Sequence, residues 1–72
     1  MKDMTCEEKA RLVSDYEIAA KKFAQAVAEL QRKIGTSTKA EFERLTRAAD
    51  EARLKSEQAR LALEQHIAAH NC

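Results

Sequence analysis

The sequence predicts an all-α chain folded as an antiparallel two-helix hairpin, coiled-coil-like in its packing, and three observations carry that expectation. The 72 residues include one glycine and no proline, and the glycine, Gly35, stands almost at the midpoint. On both sides of it apolar residues recur in alternating steps of three and four, the spacing of one helix face. Directly behind it comes Thr36-Ser37-Thr38, short hydroxyl side chains of the kind that cap a helix start. A glycine closing a helical pattern can take the left-handed conformation that ends a helix. Residues 1–72 therefore read as one domain, with helix one at about 5–34, a turn at 35–38 and helix two at about 38–70.

Met1 to Met4 carry no pattern, and Thr5-Cys6-Glu7-Glu8 has the form of a capping box with Thr5 as N-cap. Glu7 and Glu8 there suit the positive end of the helix dipole. The first heptad places Val13, Ala20, Val27 and Ile34 at a and Tyr16, Phe23 and Leu30 at d. Continued backwards, it puts Lys9 at d and Cys6 at a. Arg32 and Lys33 bring positive charge to the negative end of the helix, just before Gly35.

The second helix opens on its own box, Thr38-Lys39-Ala40-Glu41. Its seam runs Phe42, Leu45, Ala49, Ala52, Ser56, Ala59, Leu63, His66, His70, smaller and more polar than the first. Folding back at Gly35 sets Ile34 against Phe42, Leu30 against Leu45, Val27 against Ala49 and Phe23 against Ala52. Farther along, Ala20 meets Ser56, Tyr16 meets Ala59 and Val13 meets Leu63. Large residues mostly face small ones, which supports the hairpin beyond either pattern alone. The alternative is a continuous helix in a longer coiled coil, since one internal Gly costs only about 1 kcal/mol. The Gly-Thr-Ser-Thr cluster followed by Glu41 favours the break.

Composition narrows the function classes. A chain this short sits near the size at which one core struggles to stabilise a fold, so disulfides, metal or self-association are expected to help. Hydrophobic residues make up 44%, but Tyr16, Phe23 and Phe42 are the sole aromatics. Charged residues are 35% at a net charge of +1. That balance argues against a dedicated nucleic-acid or membrane-surface protein, because a neutral field neither neutralises phosphates nor attracts lipid headgroups. Apolar runs are too short for a transmembrane span or a signal-peptide core, so a cytoplasmic location is the default expectation.

The flanks of the seam identify the surface left for a partner. On the e side Glu17 is expected opposite Arg60 and Gln31 opposite Thr46, a polar rim whose ion pair is worth under about 1 kcal/mol. The g side instead carries Leu12, Ala19 and Ala26 on helix one and Ala48, Ala62 and Ala69 on helix two. An apolar stripe spanning a, d and g is wider than two helices can bury between themselves. A second copy is the simplest cover, giving a homodimeric four-helix bundle with those six residues at the interface. Alanine is also common on solvated helices for its propensity alone. Ile18, Leu54 and Leu61, near f, find no place in this scheme.

Residues able to carry chemistry gather at the open end. His66 and His70 are four apart on one helix face, and the pairing brings His70 opposite Cys6, with Cys72 at the end of the chain. Cys6, His66, His70 and Cys72 form a Cys2His2 candidate set for tetrahedral zinc. The tight Cys-x-x-Cys loop of small zinc modules is missing, so the bland reading, seam histidines near a helix C-terminus, carries more weight. The two thiols are left as free, bridged or metal-bound. A Cys6 to Cys72 bridge would contribute about 4 kcal/mol in the chain-entropy view, but would not persist in a reducing compartment.

Enzyme motifs are missing. His66-Ile67-Ala68-Ala69-His70 lacks the Glu that follows the first His in zinc-protease helices. No glycine loop cradles phosphate, and Ser14, Ser37 and Ser56 have no nearby histidine with a carboxylate behind it. No cofactor is expected, and no catalytic residue is assigned. Lys39, Arg44, Arg47, Arg53, Lys55 and Arg60 raise an RNA-binding alternative, weakened by interleaved Glu43, Asp50, Glu51 and Glu57 and by the lack of stacking aromatics. The function expected is a non-catalytic protein–protein interaction or regulatory module, with the RNA-binding hairpin dimer and a metal- or redox-responsive protein as alternatives.

Overall fold

A computed structural model describes the backbone from Met4 to His70 and the side chains from Glu7 onward. Two helices, α1 at Met4–Lys33 and α2 at Lys39–His70, pack along each other as a hairpin. At about 1.5 Å per residue each spans roughly 45–48 Å. The molecule measures 56 × 16 × 11 Å, two helices wide and one thick. No helix, among the described residues, is long and apolar enough to cross a membrane.

The turn forms by local chemistry. Gly35 takes φ 85°, and the chain closes on one acceptor, the Lys33 carbonyl. The amides of Thr36 and Ser37 donate to that oxygen at 3.2 and 3.1 Å, and the hydroxyls of Thr36 and Ser37 do so at 3.2 and 2.7 Å. Terminal carbonyls of a helix have no partner within it, so these donors satisfy a group that α1 leaves open. Thr38 then caps α2 as its motif predicts, its Oγ1 accepting the Glu41 amide at 3.1 Å. The Phe42 amide donates to the Thr38 carbonyl at 2.9 Å, the first bond into the new helix.

The start of α1 differs from expectation. The helix begins at Met4, so Thr5 lies inside its first turn instead of at its cap. The side chain of Thr5 lies outside the described residues.

The seam is half-covered along its length. Val13, Tyr16, Ala20, Phe23, Val27 and Leu30 on α1 are all half-buried, as are Leu45, Ala52, Ser56, Ala59, Leu63 and His66 on α2. Among the described residues Ala49 alone is buried, at 9% exposure. Two cylinders meet along a line, so each seam side chain is screened from one direction only. Ile34 and Phe42, expected to pack at the closed end, remain 58% and 41% exposed. Ile34 lies past the last residue of α1, where the chain is already turning.

The polar rim also departs from expectation. Arg60 pairs with Glu64 of its own helix at 2.9 Å and not with Glu17 across the seam. The Thr46 hydroxyl donates to the Phe42 carbonyl at 2.9 Å and not to Gln31. Partners one turn away are held in place by the helix itself, whereas a cross-seam partner requires two long side chains to be ordered together.

Candidate interaction surface

Because the seam is narrow, its g flank stays open. Leu12, Ala19 and Ala26 on α1 and Ala62 on α2 are half-buried there, while Ala48 and Ala69 are exposed. Short side chains leave a hollow between the helices, a groove of about 300 Å³ at mid-length. Ile18, Ala19, Ala48 and Ala52 supply its apolar lining, and Asp15, Lys22, Glu51 and Lys55 its charges. Of the six stripe residues named from the heptads, Ala19 and Ala48 therefore meet in one concavity. The other four do not line it.

Sequence reasoning missed three features of this groove. Ile18, assigned to f and left unexplained, lines it. Ala52, assigned wholly to the seam, also reaches it. The four charges were not read as a set, although Asp15, Lys22 and Glu51 all occupy c positions beside the g stripe. A scan of the positions bordering an apolar stripe for alternating charge would have found them.

The basic residues of α2 are already engaged in part. Arg44 lies 3.9 Å from Glu41, Arg53 lies 3.2 Å from Glu57 and 3.7 Å from Asp50, and Arg60 bonds Glu64. On α1, Arg11 pairs with Glu8 and, at 3.2 Å, with Asp15, and Arg32 pairs with Glu29. All ion pairs among the described residues link positions three or four apart on one helix. This is the pattern of a solvated, internally balanced face, and it weakens the phosphate-gripping alternative.

At the open end the His66 and His70 rings lie 4.7 Å apart between centroids and tilted by 45°, as their four-residue spacing predicts. The Cys6 side chain and the whole of Cys72 lie outside the described residues, so the four-ligand set is not assembled from what is described. Among the described residues no three His, Cys, Asp or Glu side chains gather as a metal site. Glu8 stands near this end, and its carboxyl is held below the usual range. The hydrogen bond from Arg11 is the main cause, opposed by partial desolvation and reinforced by the charges of Arg11 and His66. The influence of His66 on Glu8 shows that the start of α1 and the end of α2 are neighbours, as an antiparallel hairpin requires.

No model of a known family, no curated protein and no solved structure matches the chain.

Proposed function

We propose that this chain is a non-catalytic interaction module that self-associates through its g flank, two hairpins forming a four-helix bundle, and acts as an adaptor or regulator by protein contact. The observation that carries the reading is the thinness of the core, with Ala49 alone buried among the described residues while an apolar groove stands open beside it. The exposed area gives this a scale. The chain exposes 5560 Å², against about 4,500 Å² for a compact monomer of 8.1 kDa. The excess, about 1,000 Å², compares with the roughly 800 Å² that each partner contributes to a standard interface. A second hairpin laid on the g flank would convert two half-covered seams into one enclosed core.

Light scattering across the micromolar range tests the proposal. A dimer of about 16 kDa is expected, and Ala48→Glu, which puts a charge into the exposed part of the groove, is expected to shift it toward monomer with helicity unchanged. A folded wild-type monomer throughout that range refutes the reading.

A further inference from the structure

The charges around the groove follow an order that fits itself. Read toward the turn, α1 presents Asp15 and then Lys22, negative before positive; α2 in the same direction presents Lys55 and then Glu51, positive before negative. Each helix is the charge complement of the other along one direction. The levels follow from the open end, where Glu8 and His66 are near enough to interact. Equal steps toward the turn bring Leu12 level with Ala62, Ala19 with Lys55, Ala26 with Ala48 and Lys33 with Glu41. The last pair again sets a cation beside an anion.

A two-fold axis parallel to the helices exchanges α1 and α2 at the same level and turns the flank over onto itself. It seats α1 of one copy on α2 of the other with no lengthwise shift. We propose that the groove's occupant is a second copy of this chain related by that axis, with Asp15 facing the partner's Lys55, Lys22 facing the partner's Glu51 and Lys33 facing the partner's Glu41. This rests on the self-association reading and adds the geometry of the interface. The rival two-fold, perpendicular to the helices, sets α1 on α1 and α2 on α2. It can pair Asp15 with the partner's Lys22, but it carries Lys33 and Glu41 to the opposite end of the partner, where neither meets the other. It also stacks like helix on like, while the parallel axis lays Leu12 over the partner's Ala62, large on small. Charges placed this way contribute to register and orientation more than to raw affinity.

Two double variants test the geometry, one on each helix: Asp15→Lys with Lys22→Glu, and Glu51→Lys with Lys55→Glu. Each alone is expected to weaken its homodimer about a hundredfold, because every reversed contact occurs twice in a two-fold dimer and exchanges attraction for repulsion. An equimolar mixture of the two is expected to recover a heterodimer of wild-type affinity, since reversed α1 then meets reversed α2 and native meets native. Sedimentation equilibrium gives the affinities, and mass spectrometry of the intact complex identifies the heterodimer. Recovery on mixing also shows that both variants fold. Homodimers of the α1 variant as tight as wild type overturn the parallel axis and leave self-association standing. Weakening without recovery on mixing overturns it too, because the charges then act within one hairpin. A monomeric wild-type chain overturns the self-association reading itself.

Discussion

Replacing Gly35 isolates one physical cause. The residue has φ 85°, and a Cβ built on it meets no atom within 4 Å, so a larger side chain brings backbone strain without a clash. An L-residue held in the left-handed region costs about 1–2 kcal/mol. Stiffening the unfolded chain by replacing glycine returns roughly 0.4–1 kcal/mol. Gly35→Ala is therefore expected to destabilise the hairpin by about 1 kcal/mol, lowering Tm by about 4–8 °C in a chain of this size. Asparagine tolerates the conformation better than other L-residues, so Gly35→Asn should fall between glycine and alanine. A D-alanine introduced by chemical synthesis prefers positive φ and should raise Tm, since it gains the unfolded-state term without the strain.

Thermal unfolding followed by circular dichroism, at one fixed protein concentration because self-association couples Tm to concentration, gives the ranking. Scattering at the same concentration checks the shape, since an uninterrupted helix over the same residues would extend about 100 Å where the hairpin measures 56 Å. If Gly35→Ala is as stable as wild type and D-alanine brings no gain, positive φ at residue 35 is not what stops α1. The stop would then reside in the donors of Thr36 and Ser37 to the Lys33 carbonyl.

Thr38→Ala should cost about 1 kcal/mol, because it removes the acceptor of the Glu41 amide; Thr38→Asp should keep most of that stability, both read from urea midpoints. Ser37→Ala should cost under about 0.5 kcal/mol, since a carbonyl has two lone pairs and the Lys33 oxygen retains three other donors. Ala49→Leu should destabilise by about 1–3 kcal/mol through overpacking, whereas Ala28→Leu on the exposed face should stay within about 0.5 kcal/mol. Glu8 has a folded pKa below its unfolded one, so its contribution is present above the unfolded value and is lost as pH falls through the folded value. Arg11→Gln should move the Glu8 carboxyl midpoint back up in an NMR titration, and an unchanged midpoint would refute the assignment of the shift to the Arg11 hydrogen bond.

How much was legible in the sequence depended on the range of the interactions involved. The Thr38 cap, the stop at Gly35 and the face shared by His66 and His70 each involve residues within about a turn of one another, and the structure shows all three. The start of α1 was read one residue late. Arg60 and Thr46 were assigned cross-seam partners because the heptad ranks positions by side and does not weigh a near partner against a far one. Both side chains turned to the near partner. The groove was half legible: the alanines of the stripe were visible as a pattern, but a concavity is made by two surfaces, and its depth depends on how closely they approach.

The sequence by itself determined two helices, the place where they break and the faces they turn to each other, since period, cap and glycine are properties of a few consecutive residues. Only the tertiary structure decided how little that contact encloses. Two helices one layer thick cover each seam residue from one side, leaving Ala49 as the single buried side chain among the described residues. The same geometry leaves Asp15, Lys22, Glu51 and Lys55 around an open apolar groove. Charges from two separate helices become a set only when both are folded side by side.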